Sequence, residues 1–226
     1  MTEATPLSRE QMAWRAAQDL APGMYVNLGL GMPVLVASYV EPGSGVMFHS
    51  ENGVVGVGAA LNEDEGDPDL VDAGSQMISL VPGAAIMDSA ASFALIRGGH
   101  LDVTLLGGFE VSASGDLANW DAEVPGKGQL VGGAMDLAVG AKSVHVLMNH
   151  TTRDGKPRLV DQCALPLTGA GVVTRVYTDL SVVDVDGSGF MVREIVEGLT
   201  KDALQALSGA PLRFADNLAI IQVPQG

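Results

Sequence analysis

Short apolar runs alternate with helix-like segments along this chain, and glycine stands at most of the junctions. Those two features predict an α/β protein: an open, mainly parallel sheet flanked by helices, ending in a C-terminal β-hairpin. Composition agrees. Apolar residues make up 47% of the chain, charged residues only 17%, and there are 29 glycines. Such a chain can cover both faces of a sheet and turn tightly between elements. The length of 226 residues suits one domain, expected over residues 6–215. Residues 1–5 and 216–226 are expected to be flexible tails.

The first helix is signalled by Ser8-Arg9-Glu10-Gln11, a capping box in which Ser8 caps and Gln11 reaches back. Met12, Ala16 and Leu20 then recur at helical spacing, and Pro22-Gly23 closes the segment. Met24–Leu28 reads as a strand that runs into Gly29-Leu30-Gly31-Met32-Pro33, with Pro33 suited to the first turn of a following helix. Val46–His49 and Gln76–Val81 read as strands, and Asp88 as the cap of a helix ending at Arg97-Gly98-Gly99. Leu101–Leu106 is a buried strand, and Gly107-Gly108 opens a long loop through Trp120. Gly132-Gly133 introduces a short helix over Met135–Val139, before the strand Ser143–Met148. Ser181–Val185 and Phe190–Ile195 flank the turn Asp186-Gly187, with Ser188 and Gly189 lengthening the hairpin loop. Thr200 caps a last helix through Leu207.

Charge narrows the function classes. A formal net charge of −15 with no basic cluster excludes nucleic acid and anionic membrane as expected partners. No apolar run approaches the length of a membrane span, and no signal region opens the sequence, so a cytoplasmic protein is expected. The lone cysteine, Cys163, excludes an internal disulfide and reads as a small buried hydrophobe rather than a nucleophile. His49, His100, His145 and His150 show no metal-ligand spacing, and no metal site is expected. His145 reads as a core residue. His49 could either tune a neighbouring group or be structural. The acidic stretch Asn62–Asp72 lacks EF-hand spacing and reads as a solvated loop. No Gly-x-Ser-x-Gly elbow is present.

One acidic residue stands apart. Ser50-Glu51-Asn52-Gly53 separates a strand-like run from the glycine-rich Val54–Gly58. A carboxylate there is poorly placed for packing and well placed for chemistry, since glycines let a ligand approach the backbone. No Lys or Arg lies between Arg15 and Arg97, so no sequence neighbour supplies Glu51 with a cation. Gly29-x-Gly31 after a strand is a binding loop or a structural turn. The loop Gly107–Trp120, with Asn119, sits where open α/β sheets bind ligands. Gly132-Gly133 offers free N–H groups suited to an oxyanion, or is an ordinary helix entry.

Together these stretches resemble the beta subunit of the family I coenzyme A transferases. The resemblance is carried by Tyr25–Pro33, Ser50-Glu51-Asn52-Gly53, Asp69–Gly74, Ile96–Asp102, Gly115–Trp120, Gly132–Asp136, Leu165–Gly169 and Tyr177–Leu180. It runs in order over about residues 9 to 212. It implies that Glu51 is the nucleophile and that Gly132-Gly133 helps form the oxyanion hole. Asn52, Gly29, Gly31 and Asn119 are further oxyanion or CoA-binding candidates. The resemblance also implies a partner alpha subunit, usually in an A2B2 heterotetramer, with acyl-CoA and a 3-oxo acid as substrates. Coenzyme A is then a substrate, and no separate cofactor is expected.

Such a transferase moves CoA between two acids without losing the energy of the thioester. A carboxylate nucleophile gives a mixed anhydride and then a glutamyl–CoA thioester, both still activated. A glutamate side chain is ionised at neutral pH and requires no general base, which suits the absence of a triad. The CoA phosphates call for cations, and Arg97, Lys127, Lys142, Arg153 or the partner are the candidates. Arg175–Leu180 and Leu207–Leu212 resemble the 3-oxoadipate subgroup, whereas Val124-Pro125-Gly126-Lys127 resembles the acetoacetate subgroup. Glu110 departs from the neutral residue expected beside the acyl site, and would disfavour a dicarboxylate unless a cation pairs with it. Succinyl-CoA as donor with 3-oxoadipate as leading acceptor, then acetoacetate, is the expectation. Hydrolysis of CoA esters and a non-catalytic supporting role are the rival readings.

Overall fold

The computed structural model describes residues 4–62, 64–123, 128–129 and 132–224. Its frame is a ten-stranded sheet whose middle is parallel. In chain order the elements are α1 (Arg9–Ala17), β1 (Tyr25–Leu28), a 3-10 helix (Met32–Tyr39), β2 (Met47–Ser50), β3 (Val54–Ala60), β4 (Ile78–Ile86) and α2 (Ser89–Arg97). They continue with β5 (Val103–Gly107), β6 (Glu110–Ser112), β7 (Leu117–Ala118), α3 (Ala134–Gly140), β8 (Ser143–Leu147), β9 (Leu159–Val160) and β10 (Val173–Tyr177). The last are β11 (Ser181–Asp186), β12 (Gly189–Ile195), α4 (Lys201–Ala206) and β13 (Leu212–Ile220).

The sheet order is β13-β12-β11-β10-β8-β5-β1-β2-β3-β4, and a separate small sheet runs β7-β6-β9. Parallel pairing links β2, β1, β5, β8 and β10 in turn. The antiparallel pairs β2–β3, β3–β4, β10–β11 and β11–β12 extend it on both sides. The chain leaves β1 for β2 on one flank and later returns to β5 on the other. β1 is therefore a switch point, and the crevice beyond its carboxyl end is where such sheets bind ligands.

Local sequence explains the helices. Ser8 and Gln11 form both bonds of the capping box, Asp88 caps α2 by accepting from the Ala91 N–H, and Thr200 caps α4 through the Ala203 N–H. Beneath them Leu101, Leu105, Val146, Leu147, Val176 and Phe190 are fully buried, each contributing about 1.5–3 kcal/mol.

Several expectations need correction. The segment after Pro33 is a 3-10 helix. Val54–Ala60, whose first part reads as a glycine-rich stretch, is a strand, because its small residues let β4 lie close against it. The loop Gly107–Trp120 contains β6 and β7. The hairpin turn is tight, since Asp186 pairs with Gly189 and leaves Gly187-Ser188 as a two-residue loop. Residues 216–220, expected to be loose tail, belong to β13, which pairs in parallel with β12. Cys163 is half-buried, and burial pushes its thiol up to about 12, which keeps it protonated.

An ionic chain ties α1 to the far end of the sheet. Arg15 bonds Glu194 and Asp19, Asp19 accepts from Arg175 and the Tyr177 hydroxyl (both 2.6 Å), and Asp184 joins Arg175 to Arg193. Asp19 holds three donors in a partly buried setting, so Asp19→Ala leaves two guanidinium groups and a hydroxyl without it. Urea unfolding is expected to show a loss of roughly 3 kcal/mol; a change below ~0.5 kcal/mol would mean the chain is incidental.

Candidate active site

Glu51 owes its position to a hairpin. Ser50 pairs with Val54 across β2 and β3, and Glu51-Asn52-Gly53 forms the three-residue connection. The Gly53 N–H donates to the Ser50 carbonyl (3.0 Å), placing Glu51 and Asn52 at the centre of the turn. Gly53 adopts φ +126°, and a Cβ there would run into the Met87 carbonyl oxygen. Only glycine fits. The turn is also tied from outside: Asn52 Nδ2 donates to the Val71 carbonyl (2.7 Å), and the Ala73 N–H donates to Ser50 Oγ (2.8 Å). The acidic loop is solvated over most of its length, and its end braces the Glu51 turn.

Beneath the turn lies a buried polar relay. Asn27, fully buried on β1, turns its Nδ2 toward Glu51 Oε2 (3.4 Å), the His49 carbonyl (3.2 Å) and His49 Nδ1 (3.3 Å). Its Oδ1 accepts from Thr104 Oγ1 on β5 (3.2 Å). A donor facing His49 Nδ1 makes that nitrogen the acceptor, so Nε2–H donates to Ser92 Oγ on α2 (2.9 Å). His49 is therefore neutral and structural; it holds Asn27, and Asn27 in turn reaches Glu51.

The glycine-rich entry to α3 comes to the same place. A Cβ added to Gly133 would lie 3.6 Å from Glu51 Cγ and 3.0 Å from Phe93 Cζ. It is the Phe93 ring that crowds a side chain at residue 133; Glu51 would remain at ordinary contact distance, so the backbone of residue 133 lies beside both. Gly132 is exposed, with open space where a Cβ would be.

The other candidates have different roles. The Gly29 N–H is used by the Leu105 carbonyl (2.7 Å). Gly31 faces open space at φ +87°. Asn119 sits at the end of β5, its Nδ2 donating to the Gly107 carbonyl (3.0 Å) and its Oδ1 accepting from Thr168 Oγ1 (2.6 Å). Arg97 and Lys142 are surface residues paired with Asp136 and Asp102. Arg153 is exposed, and Lys127 with the rest of Val124–Lys127 lies outside the described residues. Glu110 Oε2 accepts from the Ala164 and Leu165 N–H groups (2.7 and 3.1 Å). Among the described residues no cluster of His, Cys, Asp and Glu is arranged to hold a metal, and no helix is long and apolar enough to cross a membrane. Sequence reasoning missed the part played by Asn27, because a polar residue inside an apolar strand carries no local sign of what it faces.

Burial of histidines, His49 beneath the site among them, gives the fold a pH signature. His49, His145 and His150 are each held at about 4, below the ordinary 6.5, with desolvation the main cause. The unfolded chain takes up protons below about pH 6.5 that the folded chain refuses. Stability is accordingly full above that pH and falls toward pH 4, by up to about 1.4 kcal/mol per pH unit for each histidine. Denaturant unfolding at pH 7.0, 6.0 and 5.5 is expected to show the decline before carboxylates begin to titrate; a flat profile over that range would contradict it.

A backbone glycine set against a turn-borne carboxylate, above a switch point, is the geometry expected of a coenzyme A transferase. Comparison with known proteins decides the matter: the family model "Coenzyme A transferase" matches residues 9–206. The chain belongs to the coenzyme A transferase family.

Relatives within the family are similar over most of their length. The beta-type subunit of 3-oxoadipate CoA-transferase from Pseudomonas putida is 49% identical over 94% of this chain and 99% of its own. The corresponding subunit of succinyl-CoA:3-ketoacid coenzyme A transferase from Helicobacter pylori is 48% identical over 87% of this chain and 94% of its own. Among solved structures, the acyl-CoA transferase YdiF of Escherichia coli O157:H7 shares the fold with a TM-score of 0.74 at 20% identity. The match covers 98% of this chain but 45% of that one, so this transferase-family chain spans less than half of YdiF.

Proposed function

We propose that this chain is the beta subunit of a heteromeric CoA-transferase that moves CoA from succinyl-CoA to a 3-oxo acid, with Glu51 as the nucleophile. The observation that carries the reading is the meeting of Glu51, on its glycine-closed turn, with the backbone of Gly133. Relatives named as one subunit of a transferase support an alpha-subunit partner, and an A2B2 assembly is our reading. 3-Oxoadipate is our leading acceptor and acetoacetate the next; the 3-oxoadipate relative is 49% identical over 94% of this chain and the 3-ketoacid relative 48% over 87%.

The carboxylate of Glu51 attacks the thioester carbonyl of succinyl-CoA, forming an anhydride and expelling CoA thiolate. The thiolate attacks the glutamyl carbonyl, giving an enzyme–CoA thioester and free succinate. The acceptor carboxylate then attacks that thioester, and the returning thiolate attacks the acyl carbonyl, which regenerates Glu51. Asn27 donates to Glu51 Oε2 and so helps to hold the carboxylate in position. In this reading the N–H groups at Gly132-Gly133 meet the oxyanion of each tetrahedral intermediate, a role supported by the nearness of residue 133 to Glu51. Coenzyme A is a substrate, and the reaction calls for no further cofactor. Because every intermediate is open to hydrolysis, the site must exclude water, which we assign to the partner subunit.

CoA release from succinyl-CoA by the copurified complex tests the reading. Release that depends on a 3-oxo acid supports it. Steady release without any acceptor would indicate a hydrolase on the same fold.

A further inference from the structure

Arg158 stands apart from the other described arginines. Arg15, Arg97, Arg175, Arg193 and Arg213 are each paired with a carboxylate, and Arg9 and Arg153 are exposed. Arg158 is half-buried, yet among the described residues no carboxylate oxygen lies within 4 Å of its guanidinium. It donates one hydrogen bond, from Nη1 to the Gly108 carbonyl (3.2 Å), and its buried Nε–H has no partner among the described residues. Asp179 is the acidic group whose field reaches it, but that carboxylate is already bonded by the His150 N–H (2.7 Å) and Asn149 Nδ2 (3.3 Å). Glu110 is turned to the 164–165 backbone. A half-buried cation left unneutralised in a chain of net charge −15 is costly unless an anion arrives to meet it.

Its position identifies the anion. The Arg158 N–H donates to the His150 carbonyl beyond β8, and its carbonyl accepts from the Val111 N–H, so the backbone is fixed. Gly108 directly follows β5, which places the guanidinium at the carboxyl edge of the sheet. Two strand spacings, about 10 Å, separate β5 from β2 and its Glu51 turn. The glutamate side chain, a short acyl chain and the arginine side chain together bridge that gap. The Gly108 bond and the buried Nε leave the outer N–H groups of the guanidinium for a carboxylate, which Arg binds in a fixed planar geometry.

We propose that Arg158 is a specificity-determining residue that receives the second, non-reacting carboxylate of a dicarboxylic substrate. This rests on the transferase reading and names the acid class that site prefers. Among the described residues no cation pairs with Glu110, whose Oε2 is occupied by backbone donors; in this proposal Arg158 admits the dicarboxylate instead.

The test compares 3-oxoadipate with acetoacetate as acceptors, using the complex with its partner subunit. In a double-displacement reaction, kcat/KM for the acceptor reports the acceptor half-reaction alone. In Arg158→Gln the ratio of kcat/KM for 3-oxoadipate over acetoacetate is expected to fall about 10- to 100-fold, the value of one charge-assisted contact. Arg158→Lys should recover part of it. An unchanged ratio overturns the proposal. If both acceptors lose rate equally, the residue serves the CoA phosphates or the fold; if neither changes, it serves no substrate. A wild-type complex that forms no glutamyl adduct at all would instead defeat the transferase reading.

Discussion

Glu51→Ala in the assembled complex is expected to lower CoA transfer by at least about a thousandfold, with assembly and thermal unfolding unchanged. In the proposed mechanism Glu51 is the group that makes and breaks the covalent bonds, and such losses are not recovered by the rest of a site. Stability is unaffected because, among the described residues, the one side-chain hydrogen bond to Glu51 comes from Asn27, whose Nδ2 also faces His49. Glu51→Asp keeps the charge but withdraws the carboxylate by one methylene, and a displacement of ~1 Å costs about a hundredfold. The order Glu, then Asp, then Ala distinguishes a nucleophile from a charge that merely attracts substrate. Full activity in Glu51→Ala would move the chemistry to the partner subunit.

Gly53→Ala is expected to damage the fold and the site together. Its φ of +126° is strained for any side chain, and the new Cβ would occupy the space of the Met87 carbonyl, which precedes the α2 cap at Asp88. The Met87 N–H also donates to the Gly53 carbonyl (2.9 Å), so relief of the clash loosens the link between the turn and α2. A loss of about 3 kcal/mol or more is expected in urea unfolding. Activity should fall further than stability alone explains, because Glu51 rides on the same turn. Asn52→Ala is the contrast: it removes the bond to the Val71 carbonyl, and a loss of about 1 kcal/mol is expected. Equal effects of the two substitutions would contradict the geometric argument.

What was legible in the sequence follows from what is local. Glu-Asn-Gly after a strand names its own turn, because the last position demands a conformation that glycine alone takes easily, although the strand that follows reads only as glycine-rich. Ser8, Asp88 and Thr200 announced their helices for the same reason. Gly133 stands out by its motif, but only the fold shows that it lies beside Glu51 and Phe93. Asn27 and Arg158 do not stand out, because each acquires its meaning from a residue far along the chain: Glu51 for one, Gly108 for the other. β13 reads as a tail because Asp216 and Asn217 interrupt its apolar pattern, and its pairing with β12 is set by the sheet rather than by its own residues. β6, β7 and β9 are two or three residues long, too short for any period to show.

The central claim is that Glu51 carries CoA covalently. Its most direct test is peptide mapping by mass spectrometry of the copurified complex after incubation with succinyl-CoA. The account predicts a CoA adduct on the peptide containing Glu51, discharged on adding 3-oxoadipate or acetoacetate. An adduct on the partner subunit, or none while CoA is steadily released, would contradict it.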